Sequence, residues 1–201
     1  MRDLRARHVQ LPTLGVVVYE ARDPGRAVDD AIARRAAAPY GAVLWDAAVD
    51  VARALATRDL RGRAVLELGC GCGLCGVVAA LRGATVLCTD VDDEVFPAVA
   101  RAAAEAGVGP QVRTARFDLA SADPLPPADL VILADVLYEP LLAAAAARRT
   151  REALAAGAEV VVGDPDRAGR RDYLRLLADE GIEAKFAGSV LVVAGAARGS
   201  A

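Results

Sequence analysis

Basic residues other than arginine are nearly missing from this sequence. Lys185 is the only lysine, His8 the only histidine and Trp45 the only tryptophan in a chain of 201 residues that is 4% aromatic. An NAD-dependent oxidoreductase with a Ser/Tyr/Lys set would have to draw its lysine from the C-terminal region, which argues against that chemistry. Excess positive charge is missing too. The net charge is -3, so a protein that grips nucleic acid by neutralising phosphates is not expected. Arg2, Arg5, Arg7 and His8 make the first residues locally basic, and they read as a frayed, solvated terminus. No apolar run reaches the length of a membrane span and no signal-like start is present, so a cytoplasmic protein is expected, with no membrane partner. The four cysteines crowd into positions 70, 72, 75 and 88, unlike the wide spacing of a secreted disulfide framework, and this favours reducing surroundings.

What is there is apolar and ordered. Apolar residues make up 55% of the chain, enough for one domain with a full core, much of it filled by alanine. A strand is expected over 13–21, a turn at 23–25, a helix over 26–37 ending before Pro39, and a helix over 45–57. From residue 62 strands and helices alternate. Strands are expected at 63–69, 84–90, 111–118, 129–135 and 158–164. Helices are expected from about Leu74 to 82, then over 97–106, 140–156 and 167–180, with Gly107, Gly157 and Gly181 as stops. Two last segments, "IEAKFAG" and "SVLVVAG", read as a terminal antiparallel pair. This order implies crossover connections: an α/β fold whose mostly parallel sheet carries helices on both faces.

The stretch "LELGCGCGLCG" (66–76) holds four glycines and three cysteines. As a zinc knot it is poor, because its cysteines are interleaved with glycines, the lone histidine is far away and Cys88 sits within a strand; no metal is expected. As a turn it explains its glycines. Gly69, Gly71 and Gly73 let the chain bend sharply after a strand, with backbone close to a ligand and free N–H groups at the next helix start. Asp90 ends the second strand about twenty residues on, where an acid accepts both hydroxyls of a ribose. Asp118 ends the third strand in the same way, placed to accept an adenine amino group. NAD and S-adenosylmethionine both suit such a frame. Glu67 separates them: a carboxylate just before the turn is disfavoured beside a pyrophosphate but suits the ammonium of a methionyl group.

These residues carry a resemblance. "VLELGCGCGLCG" with "VLCTD" resembles the first motif and acidic loop of class I, seven-stranded S-adenosylmethionine-dependent methyltransferases. "PYGAVLWDAAVDVARAL" (39–55), "DLVILADVLYEPLL" (129–142) and "VVVGDPDR" (160–167) are similar to the group of the electron transfer flavoprotein β-subunit lysine methyltransferase. The resemblance implies a Rossmann-like seven-stranded sheet with an antiparallel C-terminal strand over residues 39–201, preceded by an extension, 1–38, packed on it. It implies transfer of a methyl group to a lysine side-chain amine of a protein, with S-adenosylhomocysteine as product. Asp135 and Tyr138 take the places of the family's acid and aromatic after the fourth strand, and Trp45 that of its pocket tryptophan. Val91, Leu119 and Ala134 complete the expected donor pocket. The chain departs from its relatives at Ala102 and Ala106, near positions where they carry asparagine, and in "FDLA" around Asp118.

In this reading Asp135 orients the incoming amine and passes its proton to water, because a carboxylate beside an ammonium raises its pKa rather than stripping it. Tyr138 sets its ring and hydroxyl near the departing methyl. Glu139 is placed to draw a basic segment, and Asp164 is a candidate substrate contact. A small-molecule N- or O-methyltransferase stays open on the same fold, with a small amine metabolite as the alternative partner, as does a cofactor-binding protein without catalysis.

Overall fold

The computed structural model describes residues 3–23 and 40–194, with isolated positions 25, 26, 29 and 33 between them. The helix expected over 26–37 falls largely outside the described residues. The chain opens with a hairpin of β1 (Leu4–Gln10) and β2 (Gly15–Ala21). This overturns the frayed terminus, and the reason is Glu20. That carboxylate is 3% exposed, and Arg5 and Arg7 reach it at 2.7 and 3.5 Å across the hairpin. The basic residues of β1 thus neutralise a buried acid, which would be costly alone. The other Glu20 oxygen accepts the Leu44 N–H at 3.1 Å, tying the hairpin to the segment ahead of α1 (Asp46–Leu55).

A parallel sheet follows, made of β3 (Ala64–Leu68), β4 (Thr85–Asp90), β5 (Val112–Arg116), β6 (Leu130–Ala134) and β7 (Glu159–Gly163). Between the strands lie α2 (Leu74–Leu81), α3 (Phe96–Glu105) and α4 (Pro140–Ala155), and α5 (Arg170–Ala178) follows β7. A last strand, β8 (Val190–Val193), pairs antiparallel with β7. The order across the sheet is β5-β4-β3-β6-β7-β8. Fold class and architecture are as expected, with six strands in the sheet among the described residues. The expected terminal pair does not form. Residues 182–188 make only one isolated bridge, Ala187 to Val190. Ile182, Ala184 and Phe186 still turn inward onto the core, so the alternation that suggested a strand reflects packing without a hydrogen-bonded ladder.

Alternation along the central strands divides the core. Val65, Val86, Ile132 and Val161 join α1, α2, α3 and the hairpin in one apolar cluster. Leu66, Leu68, Val131, Leu133, Val160 and Val162 join α4 and α5 in the other. Apolar residues at successive positions are what a strand buried on both faces requires. Glu67 shares the face of Val65, and so points at α2. That parity places a carboxylate inside the core.

Candidate active site

The sheet order turns at β3, whose neighbours β4 and β6 lead away to opposite sides, and such a switch point opens a crevice at the strands' C-terminal ends. A cavity of about 650 Å³ lies there. After Leu68 the chain reverses through Gly69, Gly71 and Gly73, at φ of 69°, 49° and 72°. These angles are in the left-handed region that side chains resist. A Cβ on Gly71 would stand 3.0 Å from the Gly41 carbonyl, so two backbones close the cavity wall together. Gly69 and Gly71 line the cavity. Gly73 does not. A Cβ there would meet Val99 at 2.8 Å, so its bareness serves the packing of α2 on α3.

The expected acids are arranged around this turn. Glu67 is 2% exposed yet lines the cavity. Its Oε2 accepts the Gly76 N–H at 2.9 Å and the Cys88 thiol at 3.4 Å, and no arginine pairs with it among the described residues. Burial pushes its carboxyl up to about 7. Asp90 accepts the Gly71 N–H at 2.9 Å and the Asp92 N–H at 3.0 Å, and burial raises its pKa as well. Asp118 is exposed at the rim and accepts the Ala120 N–H at 2.8 Å. Val91, Leu119 and Ala134 also line the cavity. Seven carboxylates, at 67, 90, 92, 93, 94, 118 and 135, face it against one arginine, Arg116. Such a lining favours a cationic ligand and resists a pyrophosphate.

The cysteines pack rather than ligate. All four are buried and unpaired, and burial pushes Cys72 up to about 12, far from the thiolate a metal takes. Among the described residues no group of three or more ligand-type side chains could hold a metal ion.

The other half of the cavity rim is aromatic. Tyr138 meets Tyr40 edge-on at 5.8 Å between centroids, Tyr40 lies 6.3 Å from Trp45, and the Trp45 indole N–H donates to the Tyr40 carbonyl at 3.0 Å. Burial and the Glu139 carboxylate raise the Tyr138 hydroxyl, keeping it neutral. Asp135 stands at the end of β6 with φ of 58°, a strained value for a side-chain residue, and its N–H reaches the Gly163 carbonyl at 2.9 Å. Both its oxygens are held by Arg167, at 2.7 and 2.9 Å. Asp164, the candidate substrate contact, is wholly buried and outside the cavity lining, and its Oδ1 accepts from the Asp166 and Arg167 backbones and from Arg170.

Two arginines escape a reading of the sequence. Arg167 ends the "GDPDR" motif, where only the acids stood out. Arg149 hides in an alanine-rich helix, yet it is fully buried under Phe117 and donates to the carbonyls of Leu119, Ser121 and Asp123. It pins the loop carrying Asp118 and Leu119. Arg149→Met should cost about 2 kcal/mol in urea unfolding, since the Asp123 carbonyl loses its partner while those of Leu119 and Ser121 keep Arg148. A change below 1 kcal/mol would show that the loop holds itself.

Residues 31–164 match the sequence profile of a family described as lysine methyltransferase. The chain is 30% identical over 151 residues to the electron transfer flavoprotein beta subunit lysine methyltransferase of Danio rerio, covering 67% of this chain and 53% of that protein. It is 55% identical over 51 residues to a protein N-lysine methyltransferase of Danio rerio, covering 24% of this chain and 23% of the relative. The chain thus spans about half or less of the length of these curated relatives. Magnesium protoporphyrin IX methyltransferase from Synechocystis, solved with bound SAH, is similar with a TM-score of 0.58 at 19% identity, over 75% of this chain and 82% of that one. At that identity the likeness speaks for the fold.

Proposed function

Since the chain belongs to the lysine methyltransferase family, we propose that it moves a methyl group from S-adenosylmethionine to the side-chain amine of a protein lysine, leaving S-adenosylhomocysteine. One observation carries the reading: Glu67, a buried carboxylate with no cation paired to it among the described residues, at an acid-lined cavity beside the glycine turn. Its raised pKa marks a place where positive charge is wanted. The cavity volume suits a ligand of nucleoside size. When bound, the donor supplies the electrophile, a methyl on a positive sulfonium.

The chain's own residues do the holding. Glu67 receives the amino-acid ammonium. Asp90 keeps lone pairs free beyond the two N–H groups it serves, and these accept the ribose hydroxyls. Asp118 takes the adenine amino group, and the bare backbone of Gly69 and Gly71 admits close approach. On the acceptor side a lysine, with a pKa near 10.4 in water, must arrive as or become the neutral amine. Asp135 orients it with the lone pairs that Arg167 leaves free. Tyr40 and Tyr138 offer ring faces to a cation, worth about 0.5–2 kcal/mol each.

No helix among the described residues is long and apolar enough to cross a membrane. Four free, buried cysteines support a reducing, cytoplasmic setting. We assign residues 39–201 to the donor-binding domain and 1–38 to an extension. The packing of Val18 and Tyr19 with α3 in one cluster supports an extension seated on the domain.

Incubation with isotopically labelled donor and host lysate, followed by peptide mass spectrometry, should place the label on lysine. Label in a metabolite alone, or none anywhere, overturns the proposal. Asp90→Ala should weaken S-adenosylhomocysteine binding roughly 30-fold in calorimetry, as hydrogen bonds to a charged group are lost. Unchanged affinity would remove Asp90 from the ribose.

A further inference from the structure

Asp135 is not free to meet an ammonium as a bare carboxylate. Arg167 grips both its oxygens in a bidentate pair, and the Asp135 side chain is 3% exposed. The guanidinium lies 5.3 Å over the Trp45 ring, so it joins the motif acid of β6 to the aromatic rim. Its own backbone is anchored. The Arg167 N–H donates to Asp164 Oδ1 at 3.0 Å, and Asp164 is in turn held by Arg170 at 2.8 Å. The turn after β7 therefore holds one cation against Asp135.

We propose that Arg167 is a positioning residue: it fixes the Asp135 carboxylate and cancels its charge, so that the acceptor lysine is oriented there without being held as its ammonium. The inference rests on the methyl-transfer reading for its acceptor and on the geometry alone for its charge. A carboxylate by itself would stabilise the ammonium and delay the loss of its proton; the neutral pair does not. Arg167 also supports a left-handed backbone at Asp135 by fixing the side chain that extends from it. The other charged or titratable groups around the pair are Asp164 and Asp166 on its own turn, Arg170 at the start of α5, Tyr138 and Glu139 after β6, Tyr40 ahead of α1, and Asp90 across the cavity.

The test is calorimetric titration of the S-adenosylhomocysteine complex with butylammonium, a bare mimic of the lysine head. Arg167→Met should bind it at least tenfold tighter than the wild-type protein, Arg167→Lys should fall between, and Arg167→Met with Asp135→Asn should lose the gain. S-adenosylhomocysteine affinity should stay within threefold in Arg167→Met and Arg167→Lys. With lysate protein as acceptor, Arg167→Met should lower kcat more than tenfold and move the limb of its pH profile upward, while Arg167→Lys recovers part of both. Butylammonium binding unchanged in Arg167→Met, or donor affinity falling in step with kcat, overturns the inference. If Arg167→Met fails to fold, Arg167→Gln decides, since it too removes the charge, and an unaltered butylammonium affinity there overturns the inference. A wild-type protein that labels nothing defeats the methyl-transfer reading, and the butylammonium titration still decides the role of Arg167.

Discussion

Glu67→Gln should raise the thermal stability of the unliganded protein at pH 8 and at the same time cripple donor binding. The Glu67 carboxyl sits near 7 in the folded protein, against an ordinary value of 4.5, because burial penalises its charge. Between these two values the unfolded chain has lost the proton that the folded one retains. Stability from this group is therefore full below about 4.5 and falls as pH rises through 7, by about 3 kcal/mol in all. Glutamine never ionises and escapes that loss. The variant should melt roughly 6–10 °C above the wild-type protein at pH 8 and within a degree or two of it near pH 4.5. Donor affinity should move the other way, dropping roughly 100-fold at pH 8, since a buried ammonium loses its counter-charge. In the wild-type protein donor binding at pH 7 should release about half a proton, read by calorimetry in buffers of different ionisation enthalpy. Equal melting of variant and wild type at both pH values would mean that Glu67 is hydrated rather than desolvated.

Gly76→Ala should be nearly as damaging, for a steric reason. A Cβ at this position in α2 would stand 2.7 Å from Glu67 Oε2 and closer still to Cys88 Sγ, in a part of the core with no exposed atoms to yield. Overpacking of this kind costs about 1–3 kcal/mol, and here it also displaces the carboxylate from the Gly76 N–H it accepts. The expected result is a loss of about 3 kcal/mol in urea unfolding together with weakened donor binding. Cys88→Ala in the same chain removes the sulfur from the clash and should restore about half of the stability. Wild-type stability in Gly76→Ala alone would mean that α2 can slide away from β3.

Much of this arrangement was legible before any coordinates. The alternation of apolar strands with glycine-stopped helices gave the sheet, because strands covered on both faces cannot hide their composition. Glu67 stood out because an acid within an apolar strand has few innocent explanations, and the structure seats it in the core lining the cavity. Gly73 was legible as a turn residue but not as a packing residue, since both uses demand the same missing Cβ. The hairpin of β1 was missed because its meaning depends on Glu20, fifteen residues from Arg5, and a long-range ion pair leaves no local pattern. In the motif "GDPDR" Asp164 drew attention as a candidate substrate contact and Arg167 drew none. Which member of "GDPDR" turns inward is decided by the Asp166 and Arg167 N–H groups folding back on Asp164, a backbone event that composition does not encode. Arg149 went unseen because a helix of alanines gives no sign of which polar member faces the core.

The chain's single indole gains an unplanned use from its address. Trp45 lines the cavity at the sheet's switch point, touches Tyr40 and lies under the Arg167 guanidinium. Ultraviolet emission excited at the red edge of absorption therefore arises from this one spot, so occupancy of the crevice and release of the guanidinium can each be followed optically, in real time, without any attached dye.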